Sequence, residues 1–264
     1  MPIIILYKYY GACSGLRAIQ SRKLGFRTPK DFNDPFELTA LSNGEGARIK
    51  LDTLRQRVED LKAQVVILSL TRSPLNPLMW AHYGQEHTGM VVGYDVSGAF
   101  LNSSRYNLIP AEAGDVIYTH TKSPFVMTPE TMKVLQKVYK WGLGAEGDQS
   151  YEQQALARRL FLTKHASWVY EEEVRVVKIA HSYFEEVQVF QADPMRAIDI
   201  RDDLPDGLHL YNHQMPIKEI FLGVRSHLQS DSVALKKITD ICPKVFQLRV
   251  DDASWQLVSD RVLS

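Results

Sequence analysis

The chain has 264 residues, of which 45% are hydrophobic and 23% charged, with 31 Lys and Arg against 31 Asp and Glu. That length and composition suit an ordinary globular protein with a substantial core, and the balanced charge gives no overall attraction to nucleic acid or to an anionic membrane. The two cysteines, Cys13 and Cys242, make neither a disulfide framework nor a zinc site. No apolar run reaches bilayer length, and the opening Met1 to Leu6 lacks the basic flank of a signal peptide, so a soluble, cytoplasmic protein is expected.

In chain order, Ile3 to Tyr9 is β-branched and aromatic and predicts a strand. Leu16 to Lys23 has helical spacing, Leu24 to Thr28 a short extended character, and Pro29 to Pro35 a density of turn formers. A helix is predicted over 47–63 and a central strand over Val65 to Thr71, an unbroken apolar run. Asn76 to His87 predicts a short helix with Pro77 in its first turn, followed by a strand over Gly89 to Asp95. Asp115 to Thr119 predicts another strand, and helices are expected near 129–141 and 151–165. Strands are then expected at 173–179, 185–191, 218–223 and 245–250, with a helix near 231–241. Strands and helices mix without a βαβ rhythm, which predicts an α+β domain over 1–264 with a mainly antiparallel sheet and flanking helices. The helical stretch within 122–166 is expected to be an insertion or a lid.

Four segments concentrate polar and aromatic residues. Tyr7 and Tyr9 share one face of the first strand with Lys8 opposite, and could stack on a planar ligand or simply pack on a helix. Asn33 and Asp34 before Pro35 fix a turn, beside which Arg27 is placed to grip a phosphate. In the segment around Trp80, His82 and Tyr83, His82 and His87 are five apart, so they are not the i,i+4 pair of a helical metal site, and no metal is expected. His82 reads as a core or cleft histidine, and Trp80 as an anchor beneath it.

The fourth segment, Trp168 to Val177, reads as a loop entering a strand whose alternate residues Glu171, Glu173, Arg175, Val177 and Ile179 point one way. Charges at the mouth of a buried strand suit a chemical cleft. The alternative is a solvated ion-pair ladder with Lys178. Arg158, Arg159, Lys164 and His165 read as a solvated helix face or, failing that, a local basic patch. No dinucleotide fingerprint, phosphate loop or nucleophile elbow is present in the sequence.

Leu6-Tyr7-Lys8-Tyr9, Phe32-Asn33-Asp34-Pro35-Phe36-Glu37, Met79-Trp80-Ala81-His82-Tyr83 with Gly89, Trp168-x-Tyr170-Glu171-x-Glu173-x-Arg175 and Ile217 to Gly223 together resemble a bacterial family of unknown function, domain-of-unknown-function family 2971. Val174 stands where that family carries Trp. A weaker resemblance is to ADP-ribosyltransferases of the bacterial toxin type, which spread a basic first strand, a middle aromatic segment and a late glutamate along one chain. Lys8 is the nearest base on the first strand here, and the Ser-Thr-Ser middle signature is missing.

That resemblance implies a nucleotide-binding enzyme that cleaves the nicotinamide–ribose bond of NAD and passes ADP-ribose to a macromolecule or to water, in a toxin or defence setting. It implies Glu173 as catalytic carboxylate and Glu171 orienting the acceptor or a ribose hydroxyl. Arg27 and Arg175 would meet phosphates, Tyr7, Tyr9, Trp80 and Tyr83 would frame the base, and Asn33 and His82 would complete the cleft. Two other classes stay open: a non-enzymatic nucleotide- or protein-binding module, and a metal-dependent hydrolase or nuclease using Glu171 and Glu173.

Overall fold

The computed structural model describes residues 3–38, 41–43, 62–122, 125–127, 150–179 and 204–262, together with 56, 59, 60, 133, 134 and 195. Among them the strands are β1 (Ile5–Tyr10), β2 (Gly25–Arg27), β3 (Leu41–Asn43), β4 (Val65–Thr71), β5 (Met90–Asp95), β6 (Ile117–Thr119), β7 (Phe125–Met127), β8 (Thr163–His165), β9 (Glu173–Ile179), β10 (Leu208–Leu210), β11 (Ile217–Leu222), β12 (Val245–Val250) and β13 (Leu257–Arg261). The helices are α1 (Ala12–Ser21), α2 (Pro77–Tyr83), α3 (Ala99–Asn102), α4 (Tyr151–Phe161) and α5 (Ser232–Ile241). The expected helices over 47–63 and 129–141 and the strand over 185–191 lie largely or wholly outside the described residues.

Nine strands form one sheet in the order β10-β2-β4-β1-β5-β11-β12-β13, with β9 pairing β4 off that path. All its pairings are antiparallel except β11 with β12, so the fold is α+β, as the mixed element order predicts. Side-chain alternation sorts the apolar residues into two faces. Val66, Leu68, Val92, Val174, Val176 and Leu222 pack on one face with Ile19 of α1 and Ile238 of α5. On the other face Ile67, Val177 and Ile179 pack with Leu156, Leu160 and Phe161 of α4. Farther along that face Val91, Phe221 and Leu248 pack around Trp80 of α2. The charged residues at the start of β9 lie between these two clusters.

The connection through β4 is the unusual part of the sheet. β9 runs along one edge of β4 for all seven residues, from Val65↔Ile179 to Thr71↔Glu173. β1 and β2 must therefore share the other edge, and each meets it at a single position, Tyr7↔Thr71 and Arg27↔Ile67. Between those contacts the sheet forks. The Ser69 carbonyl, which faces the gap without a strand partner, accepts a hydrogen bond from the Lys8 ammonium at 3.1 Å.

Local chemistry explains several element ends. Asn76 caps α2 by accepting from the Leu78 and Met79 amides, and Pro77 sits in the first turn where its missing N–H costs nothing. Ser150 and Gln153 form a reciprocal capping box on α4, and Asp231 caps α5. Helix α4 ends at Phe161, earlier than the expected 165, because the chain turns into β8 from Thr163. Its buried residues, Leu156, Ala157, Leu160 and Phe161, pack on the sheet with Ile67, Val177 and Ile179.

Candidate functional site

A cavity of about 980 Å³ opens at the fork and is lined by residues from both faces of the sheet, within the range usual for small-molecule sites. Arg17 and Ser21 of α1 line it on one side, and Tyr83, Lys164, Glu171 and Glu173 on the other.

Its floor is a buried ionic cluster. The Arg175 side chain is 1% exposed, and all five guanidinium donors are used. Nε and Nη2 donate to Glu173 at 2.8 and 3.0 Å, Nη1 and Nη2 to Glu37 at 2.9 and 2.5 Å, and Nη1 also to the Phe161 carbonyl at 2.8 Å. Lys164 reaches all three carboxylates, Glu171 at 2.6 Å, Glu173 at 3.2 Å and Glu37 at 3.5 Å. Its ammonium also lies 5.0 Å from the centre of the Trp168 ring. A cluster of three carboxylates and two cations out of water holds together only because nearly every polar atom is paired.

Glu171 and Glu173 reach this cluster by different routes. Glu173 starts β9, sharing a face with Arg175 as strand alternation requires. Glu171 is not on the strand: it ends a 3-10 helix, Ala166–Glu171, and Glu172 between them adopts φ 44°, a left-handed conformation. That single reversal points two carboxylates that are two residues apart toward the same ammonium. The solvated ladder with Lys178 is overturned as well. Glu171, Glu173 and Arg175 are buried, and Lys178 reaches the Phe100 and Tyr106 carbonyls on the other face.

The two carboxylates are tuned apart. Burial would raise Glu173, but Arg175 and Lys164 dominate and hold its carboxyl well below the usual range, at about 2. Burial raises Glu171, and the neighbouring Glu173 charge adds to it, while Lys164 and the Tyr83 hydroxyl, donating at 2.6 Å, oppose the rise. Glu173 is thus the permanently ionised member and Glu171 the more basic one. Lys8, in the fork, is pushed down to about 8 by burial, with Arg27 adding to the effect and Glu173 resisting it.

Of the residues singled out in the sequence, Tyr7, Tyr9, Arg27, Asn33, Tyr83, Glu171, Glu173 and Arg175 line the cavity. Tyr7 donates to Glu219 at 2.6 Å and Tyr9 to the Ser73 carbonyl at 2.9 Å. Two residues lie elsewhere. Trp80 is 0% exposed; its indole N–H donates to the Pro74 carbonyl at 2.9 Å and its ring meets Tyr9 edge-on at 5.3 Å. It is core because the cluster around Phe221 and Leu248 needs a large apolar filling. His82 is exposed on α2, beside the Tyr83 and Tyr170 rings and outside the cavity lining. Arg175 needs correction of a different kind: with every donor spent internally, it positions Glu173 and has none left for a phosphate.

Glu37 and Lys164 were missed as site residues. Glu37 closes the Phe32-to-Glu37 motif, whose turn is built as the Asx pattern predicts, with Asp34 accepting from the Phe36 amide at 2.9 Å. The turn delivers Glu37 to Arg175, a pairing across 138 positions that no local pattern announces. Lys164 is a buried residue of β8, not part of the solvated helix face that its spacing from Arg158 and Arg159 suggests.

Residues 79–176 match the family model Protein of unknown function (DUF2971). No curated protein and no solved structure matches the chain. The DUF2971 match spans α2 to β9 and so takes in Tyr83, Lys164, Glu171, Glu173 and Arg175, whereas Lys8, Arg27 and Glu37 precede it. Among the described residues no helix is long and apolar enough to cross a membrane.

Proposed function

We propose that the cavity binds a nucleotide and that the chain is an enzyme cleaving the nicotinamide–ribose bond of NAD. The observation that carries this reading is the buried pair Glu173 and Glu171, tuned in opposite directions beside a cavity large enough for a nucleotide. When the C–N bond breaks, its electron pair leaves with nicotinamide and positive charge develops on the ribose. An ionised, fixed carboxylate such as Glu173 stabilises that charge without reorganising. The incoming water or acceptor hydroxyl bonds to the ribose carbon, and Glu171, the more basic carboxylate, takes its proton. The phenol rings of Tyr7, Tyr9 and Tyr83 supply walls against which a planar base can stack. Transfer of ADP-ribose to a macromolecule is the extension of the same chemistry to a different acceptor.

The metal-dependent hydrolase reading fits less well. The Lys164 ammonium already occupies the place between Glu171 and Glu173 where a shared cation would sit.

The test is release of free nicotinamide from NAD by the purified protein, measured by chromatography beside Glu173→Gln. The expected result is release by the wild type, unaffected by a chelator, and a loss of about 10²–10³-fold in the variant. Equal release by both removes Glu173 from the chemistry. Binding of NAD with no release by either makes the chain a binding module.

A further inference from the structure

The carboxylate floor occupies one side of the fork, and the other side carries cations with no assigned task. Lys8 enters the gap from β1, and among the described residues one of its three N–H donors is used, in the bond to the Ser69 carbonyl. Arg27 lines the cavity from β2 and Arg17 from α1. Neither arginine has an ion-pair or side-chain hydrogen-bond partner among the described residues, in contrast to Arg175, whose donors are all taken. The nearby acid Asp31 is engaged by the Thr28 hydroxyl.

Three cations from three elements therefore line one cavity, with Arg27 close enough to Lys8 to disfavour the lysine's charge. An anion placed among them is attracted by all three charges. Arginine offers the planar fork that grips phosphate oxygens, and an ammonium in a partly desolvated gap adds a point charge.

We propose that Lys8, Arg27 and Arg17 form a phosphate subsite in the fork of the sheet, made for the diphosphate of a ligand that threads the gap with its reacting end at Glu171 and Glu173. This rests on the nucleotide reading of the cavity and specifies it: the recognised ligand is a diphosphate, held from the α1 side. The subsite has β1 and β2 as its two walls, and these strands diverge after one contact each with β4.

The test is calorimetric titration of the whole chain with inorganic pyrophosphate, which has no glycosidic bond and so reports the subsite without the chemistry. The expected result is binding by the wild type, weakened about 10- to 100-fold in Arg27→Met and in Lys8→Met, with a smaller loss in Arg17→Met. Arg27 and Arg17 are exposed, so their variants keep the fold even if Lys8→Met does not, and a thermal melt verifies this. No binding by the wild type at millimolar pyrophosphate, or equal binding by Arg27→Met and the wild type, overturns the subsite. Pyrophosphate binding lost in Arg27→Met but without nicotinamide release from NAD keeps the subsite and removes only the NAD chemistry.

Discussion

Replacing Lys164 with Met keeps the volume of the side chain and removes the charge that three buried carboxylates share. Lys164 lies 2.6 Å from Glu171, 3.2 Å from Glu173 and 3.5 Å from Glu37, with both sides of each pair no more than 7% exposed. Without it, Arg175 faces three carboxylates alone, and breaking a buried pair by removing one partner costs about 3–5 kcal/mol. For a chain of this size that is a fall in Tm on the order of 10 °C. The loss has a defined pH dependence. In the wild type, Glu173 is held at about 2. Its ion pairs therefore contribute roughly 3 kcal/mol above the ordinary carboxylate pKa, a contribution that disappears as pH falls toward 2. In Lys164→Met the folded-state pKa values of Glu171 and Glu173 move up. A carboxyl raised above its unfolded value destabilises the fold increasingly as pH rises past that value, so the variant's deficit is larger at pH 8 than at pH 5. Urea unfolding at the two pH values measures it. A variant as stable as the wild type at pH 8, or a deficit equal at both pH values, would refute the shared-ammonium account.

Three further outcomes follow from the geometry. Trp80→Ala empties a fully buried site and loses about 3–5 kcal/mol in a denaturant melt, whereas a Trp80 that only framed a ligand would leave stability unchanged. Glu172→Gly relieves a left-handed backbone at φ 44° and, after the entropy cost of glycine in the unfolded chain, stabilises the protein by about 0.5 kcal/mol in the same melt. Tyr83→Phe removes the 2.6 Å bond that favours ionised Glu171, so the acid limb of the pH profile for nicotinamide release moves to higher pH.

The sheet was legible where one residue pattern decides the matter. Val65–Thr71 and Glu173–Ile179 have the boundaries that their apolar and β-branched runs predict, and Asn76-Pro77 marks the start of α2. Short or mixed strands were not legible: Leu208–Leu210 is three residues long, and Leu257–Arg261 carries Ser, Asp and Arg on an edge. At the site, the sequence could nominate Glu173 and Arg175 because alternation puts them side by side. It could not separate Trp80 from Tyr83, since an aromatic residue three positions from another on a helix reads the same whether it fills a core or lines a cleft. The convergence of Glu37, Lys164 and Arg175 depends on pairings between distant segments, and the left-handed turn at Glu172 uses a residue with no preference for that conformation. The fork itself follows from two strands competing for one edge of β4, a tertiary fact with no local signature.

The separation of the two carboxylates is the claim on which the rest depends, and it can be read directly by carbon-13 NMR of the protein labelled at glutamate carboxyls. Glu171→Gln and Glu173→Gln variants assign the two signals across a titration. The account predicts that, as pH falls, Glu171 takes up its proton above the ordinary carboxylate range while Glu173 stays ionised until about pH 2 or acid unfolding. Two carboxyls titrating together near the ordinary value, or Glu173 protonating first, would contradict it.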